Sequence, residues 1–268
     1  MSVSVYKYTF EAINDDWERI LVFDIETVED LATLERVKEE RSHEYLNIEK
    51  AKHMCFAIRT HVYQSMRNVA SNKLLKKYAR HERGEWTYFI RMNTNADEIA
   101  HDILSVVKAF ELNAIVAHNG SRFDFLVFKN RAKIEQKKQN AFIRQGRRYI
   151  RLIDTYNLTN ASLENACKAL NIEETKLYSS DLSDYLLQDV YMLSRLVDAL
   201  REAGVKYTLT RTARNFYHDV ATTKNIKAIK TIIPPSMDIE YAGGRTEVWK
   251  AYAENVYVYD VNSLYPYA

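Results

Sequence analysis

Asp24 and Glu26 stand two residues apart in Leu21-Val22-Phe23-Asp24-Ile25-Glu26-Thr27. An apolar run interrupted by carboxylates at alternate positions predicts a strand, and the period of two puts both acids on one face. With Ile20, Leu21, Val22, Phe23 and Ile25 around them, the strand is expected to be buried on both sides, where an unpaired carboxylate is costly. A cation should therefore face these acids. No Lys or Arg lies between Arg19 and Arg36, so a divalent metal ion is the economical local partner, two close carboxylates being a usual hard-cation site. The alternative, an exposed strand end whose acids face water, stays open on these residues alone.

Two further acids can converge on that strand. Asp124 lies in His118-Asn119-Gly120-Ser121-Arg122-Phe123-Asp124, and Asp189 follows Tyr185 by four residues. On a helix that spacing puts Tyr185 and Asp189 on one face, aimed at the same spot. Each has a plainer reading: Asp124 as a helix cap, Asp189 as an exposed helix charge or a pair with Arg195, and Phe123 as a core residue instead of a platform for a stacked base.

The elements that must carry these residues follow from periodicity. Residues 114–117 read as a short buried strand delivering His118 and Asn119 to its end, and residues 149–154 as another strand. Residues 54–63 and 86–91 alternate as strands of the same sheet. Residues 28–53 are charged and expected to be helical, and residues 67–83 to be helix or surface loop. Asn93, Thr94 or Asn95 can cap a helix running to Phe110, and residues 162–170 read as a short helix. Residues 181–203 predict a long amphipathic helix, capped by Ser180 and stopped by Gly204. Strands and helices in this order indicate an α/β fold, a sheet with helices on its faces, whose strand ends are where sites are built.

Composition adds bounds. With 268 residues, 47% of them hydrophobic and 28% charged, the chain can bury a substantial core, expected as one domain plus an appendage. Gly 6 and Pro 3 argue against a disordered scaffold, and no repeat is apparent. The net charge of +2 says little, but residues 129–151 hold nine Lys and Arg, Arg144, Arg147 and Arg148 among them, against the single acid Glu135. That stretch is a candidate phosphate contact or a solvated basic loop. Cys55 and Cys167 show no pairing or zinc spacing, as in a reducing compartment. The acidic N-terminus lacks an apolar segment, so neither a signal peptide nor a membrane span is expected, and the location is expected to be cytoplasmic.

The patterns Asp24-x-Glu26-Thr27, Asn119-x-x-x-Phe123-Asp124 and Tyr185-x-x-x-Asp189 resemble, in order, the three exonuclease motifs of the proofreading domain of family B DNA polymerases. The tyrosine variant fits better than the histidine variant, because position 184 is Asp and no His lies between His118 and His218. Tyr241-Ala242-Gly243-Gly244-Arg245 resembles the motif joining exonuclease and polymerase domains, and Tyr259-Asp260-Val261-Asn262-Ser263-Leu264-Tyr265-Pro266 resembles polymerase motif A. Together these resemble the protein-primed branch found in phages, adenoviruses and linear plasmids.

The resemblance implies an RNase H-like (DnaQ-like) exonuclease fold over residues 1–205, a mixed sheet flanked by helices. Residues 206–268 would be a connecting segment and the start of the palm. It implies 3′→5′ hydrolysis of single-stranded DNA ends by two Mg²⁺ or Mn²⁺ ions. Asp24, Glu26, Asp124 and Asp189 would be the metal ligands of the nuclease site, and Tyr185 would orient the water with Glu26. Thr27, Asn119, Phe123, Ser162, Leu163, Tyr241, Gly243, Gly244 and Arg245 would contact DNA, and Asp260 would be a palm metal ligand. The site lysine of the family falls on Lys168 or Lys176. The palm and thumb motifs beyond motif A do not occur in the sequence, so no primer extension is expected from this chain alone. The partners implied are single-stranded and primer-template DNA, a terminal protein, and a separate C-terminal polymerase half; no membrane partner is expected. Two alternatives remain: a non-enzymatic subunit of a split polymerase that binds DNA or terminal protein, and an RNA-directed exonuclease of the same superfamily.

Overall fold

The computed structural model describes residues 17–29, 46–137, 140–172, 181–213, 215 and 216, all within the first of two compact units, Met1–Val220. Eight strands form one sheet: β1 (Ile20–Thr27), β2 (Ala51–Arg59), β3 (Ala79–Arg83), β4 (Trp86–Arg91), β5 (Ala114–Ala117), β6 (Lys133–Lys137), β7 (Asn140–Gln145) and β8 (Arg148–Asp154). The helices are α1 (Thr60–Met66), α2 (Val69–Leu75), α3 (Ala96–Ala109), α4 (Tyr156–Thr159), α5 (Leu163–Ala169) and α6 (Leu182–Glu202), with short 3-10 turns at Ile48–Lys50 and Asp124–Phe128. The strand order is β3-β4-β2-β1-β5-β8-β7-β6. β1, β5 and β8 run parallel at the centre, and every other pairing is antiparallel. The fold is thus α/β with a mixed sheet flanked by helices, an arrangement consistent with the RNase H-like exonuclease fold.

The central strand is covered on both faces. Leu21, Phe23 and Ile25 enter a core with α3 residues Ile99, Ile103, Val106 and Val107. Ile20 and Val22 enter the other, with α6 residues Leu186, Val190, Leu193 and Val197. Strand alternation therefore puts Asp24 and Glu26 on the α6 face.

Helix ends follow local chemistry. Asn95 caps α3, its side chain accepting from the Glu98 N–H at 2.9 Å. α6 is capped by Asp181, which accepts from the Ser183 N–H at 2.8 Å, in place of the expected Ser180. It ends where Gly204, at φ +72°, donates to the Arg201 carbonyl and Val205 donates to Leu200. This Schellman arrangement needs the left-handed conformation that glycine adopts without strain.

Three expectations are corrected. The strand read over residues 54–63 begins earlier, at Ala51, which also removes the end of the helix expected over 28–53. It stops at Arg59, because Arg59 pairs with Trp86, the first residue of β4, and beyond it the chain has no strand to pair with. The backbone then closes its own hydrogen bonds in α1. Residues 67–83 hold both α2 and the exposed edge strand β3. The basic stretch is no plain loop, since β6, β7 and the two-residue turn Gly146-Arg147 lie inside it, with Gly146 at φ +64°.

Candidate functional site

Three carboxylates converge beyond the carboxyl end of β1. Asp24, Glu26 and Asp189 each offer one oxygen, and these oxygens lie within 4.8 Å of one another. β1 supplies two of them at alternate positions, and α6 supplies the third from the helix crossing that face. Oxygen donors this close suit a hard divalent cation such as Mg²⁺ or Mn²⁺, and like charges so near repel without one. Tyr185, half-buried, lies one turn before Asp189 on α6. The ladder is irregular here as well: Glu26 faces His53 while Thr27 faces Ala51, so Lys52 has no opposite number and the strand end twists away from regular pairing.

Asp124 stands beside that group but outside it. Its carboxylate is buried, and its Oδ1 accepts from the Ile25 N–H at 3.2 Å, between the two acids of β1. It caps no helix: Phe123 occupies the cap position of the short turn and makes no side-chain cap bond. Burial pushes the Asp124 carboxyl up to about 8, with the charges of Glu26 and Asp154 adding and the N–H donors of Asp124 and Ile25 opposing. Its position depends on tight packing of the loop before it. A Cβ on Gly120 would lie 2.6 Å from the Ala117 Cβ and 3.1 Å from the Phe125 ring, so only glycine fits there. Asn119 precedes it at φ +60°, the left-handed region that Asn tolerates better than most residues.

The other expected residues divide. Thr27 and Asn119 are half-buried around the strand ends, and Phe123 is buried, as its core reading had it. Ser162 caps α5, accepting from the Asn165 N–H at 3.3 Å, and Leu163 packs against the core under α6. Lys168 pairs with Glu164 at 2.7 Å on the α5 surface, and Lys176 lies outside the described residues. Tyr241, Gly243, Gly244, Arg245 and Asp260 also lie outside the described residues. Arg195 pairs with Asp198 at 3.8 Å, and Asp189 is buried, not an exposed helix charge.

Within the basic stretch several cations are occupied structurally. Arg131 pairs with Glu49 and Asp97, Arg148 donates to the Leu112 carbonyl at 3.1 Å, and Arg151 is buried against the rings of Phe142 and Tyr207. Arg144 and Arg147 are exposed at the β7–β8 hairpin. A buried ion network, Arg59 with Asp198 at 2.7 Å and Glu85 at 2.8 Å, stacks on Trp86 at the opposite end of the sheet and belongs to the scaffold.

One acid of this region was missed. Asp154 is buried at the carboxyl end of β8, opposite Ala117 of β5, and close enough to Asp124 for its charge to act there. The sign was in the sequence: an acid ends a strand already read over residues 149–154, and strand ends are where such sheets build sites.

Residues 178–268 match the family model described as DNA polymerase type B, organellar and viral. A DNA-directed DNA polymerase of Enterobacteria phage PRD1 is 26% identical over 169 residues, covering 59% of this chain and 30% of that polymerase. The match thus spans under a third of the relative's length. No helix among the described residues is long and apolar enough to cross a membrane. Taken with the order of the motifs, these matches make the chain similar to part of a family B DNA polymerase of the organellar and viral type.

Proposed function

We propose that residues 1–205 form a 3′→5′ exonuclease domain that removes nucleotides from single-stranded DNA ends, with residues 206–268 as the connecting segment and the start of the palm. The observation that carries this reading is the convergence of Asp24, Glu26 and Asp189 within 4.8 Å, with Asp124 buried against the same strand. All the donors are carboxylate oxygens, the set preferred by Mg²⁺ and Mn²⁺ over softer metals. Such ions, when bound, supply a water of lowered pKa and charge stabilisation at the leaving 3′ oxygen. Asp24, Glu26 and Asp189 would hold them, and Asp124 would join once its proton is released. The Tyr185 hydroxyl and Glu26 orient the attacking water, while Thr27, Asn119 and Phe123 hold the terminal nucleotides. A splayed 3′ end is the substrate, because a paired end does not reach a site set between a strand end and a helix.

In the whole polymerase this domain would act on primer-template DNA whose end has frayed, beside a terminal protein and the polymerase half, in the cytoplasm of the host cell. The test is incubation of the chain with 5′-labelled single-stranded DNA in Mg²⁺ or Mn²⁺ and in chelator. Stepwise shortening from the 3′ end that chelator stops is the expected result. Absence of shortening, or shortening indifferent to chelator and to Asp24→Ala, would refute the assignment.

A further inference from the structure

The loop from His118 to Phe123 carries Asn119 and Phe123 and leads into the short 3-10 turn that opens with Asp124, yet it has no helix or strand of its own to hold it. Inside the loop, the Gly120 carbonyl accepts from the N–H groups of Phe123 and Phe125, which fixes its curvature but not its place against the sheet. Asp124 is tied directly to β1 through the Ile25 N–H, and two ties at the end of β8 place the loop before it. Thr155, fully buried, donates its N–H to the Ala117 carbonyl at 3.0 Å, and its Oγ1 meets His118 Nδ1 at 2.9 Å. Asp154, only 7% exposed, accepts the Ser121 N–H at 3.0 Å on Oδ2 and the Tyr156 N–H at 3.0 Å on Oδ1. Each oxygen of this carboxylate is thus bound to a different backbone segment, the loop on one side and the first turn of α4 on the other.

Building on the proposed nuclease reading, we infer that Asp154 is a positioning residue: it touches no substrate itself, but through the Ser121 N–H it sets where Asn119, Phe123 and Asp124 stand relative to Asp24 and Glu26. A buried carboxylate that accepts two backbone N–H groups is a strong, short-range clamp, because charge-assisted bonds are about twice as strong as neutral ones and a desolvated acceptor is not easily exchanged for water. Ala at this place would remove the acceptor of both N–H groups. Asn would keep one acceptor but turn an NH₂ group toward the other N–H, releasing one segment while keeping the volume. Glu would keep both acceptors and displace them by one methylene.

The experiment uses the full chain with Asp154→Asn and Asp154→Glu. Four quantities are read: kcat and KM for shortening of single-stranded DNA in Mn²⁺, the amide exchange rate of Ser121, and the thermal midpoint. Asp154→Asn is expected to speed Ser121 exchange about tenfold or more and, since misplacement by 1 Å can cost on the order of 100-fold, to lower kcat per folded molecule by about 10- to 100-fold with a smaller change in KM. Asp154→Glu should fall between Asn and wild type. Unchanged Ser121 exchange overturns the inference, and so does faster exchange with kcat within about twofold of wild type. A merely structural acid would move the midpoint and leave kcat per folded molecule alone. Should Asp154→Asn not fold, Asp154→Glu decides by the same criteria. If wild type itself shortens no DNA, the nuclease reading fails separately, and Ser121 exchange still supports or overturns the clamp.

Discussion

Asp124→Asn separates the electrostatics of the site from its chemistry. In the folded chain the Asp124 carboxyl is pushed up to about 8, and burial is the largest cause. An unfolded Asp titrates near 3.9, so between about pH 4 and pH 8 the native state holds a proton that the unfolded state has lost. For a raised acid, the stabilising effect is complete below the unfolded value and fades as pH rises through the folded one. The metal-free protein should therefore lose stability from pH 4 to pH 8, each unit being worth about 1.4 kcal/mol, with a total on the order of 2–5 kcal/mol after coupling to Glu26 is allowed for. Asn keeps the Oδ1 that accepts from Ile25 at 3.2 Å and carries no charge. In chelator, Asp124→Asn should match wild type at pH 4 and exceed it by that few kcal/mol at pH 8.5, measured by urea unfolding at each pH. In saturating Mn²⁺ the order should reverse, because a ligand that binds only the native state stabilises it and the Asn side chain is the poorer donor. A stability difference that does not depend on pH, or an Asn variant weaker than wild type at pH 8.5 in chelator, would refute the reasoning.

Asp189→Ala should reduce 3′-end shortening to background while circular dichroism stays native, since it removes one of three convergent donors and leaves the helix; wild-type-like degradation would remove Asp189 from the site. Tyr185→Phe should slow hydrolysis by about 10- to 100-fold, less than loss of a ligand acid, because a phenol that orients water contributes one hydrogen bond. A rate as low as that of Asp189→Ala in single-turnover assays would demand a larger role for the tyrosine. Gly120→Ala, whose Cβ would lie 2.6 Å from the Ala117 Cβ, should cost about 1–3 kcal/mol by urea unfolding and lower activity with it, whereas unchanged stability would mean that the loop gives way freely. Neutralising Arg144, Arg147 and Arg148 should weaken single-strand binding and flatten its log-log salt dependence by about one for each phosphate no longer neutralised, with Arg144 and Arg148 contributing less than Arg147 because Arg144 already pairs with Glu135 and Arg148 already binds the Leu112 carbonyl.

What could be read from the sequence was whatever is buried and local. β1, β5, β8, α3 and α6 announced themselves through apolar periodicity and caps, because each is covered on one or both faces and its pattern is set by that burial. β6 did not, since it is the edge strand and Lys133 and Ile134 are exposed, and β7 did not because its buried Phe142 and Ile143 are adjacent and show no alternation. The end of β2 was overread for a related reason. The alternation of residues 54–63 is genuine, but a strand lasts only as long as its partner, and where β4 begins is a fact about another segment.

The site divides along the same line. Asp24 and Glu26 were visible because two acids in a buried strand contradict their surroundings. Asp189 was visible because its spacing from Tyr185 on a helix is a local matter. What separates Asp124 from Asp154 is invisible locally. Both are buried acids near the ends of the parallel trio, but Asp124 opens a 3-10 turn and accepts from the Ile25 N–H in the middle of β1, while the two oxygens of Asp154 accept from the turns beside it. Asp124 is driven toward its neutral form by burial, with the charges of Glu26 and Asp154 adding to it. The other is fully engaged by the backbone and acts as part of the frame. Under the proposed nuclease reading Asp124 joins the chemistry and Asp154 holds the frame, and the contacts that part them are set by the register of β1, β5 and β8, which a local pattern does not carry.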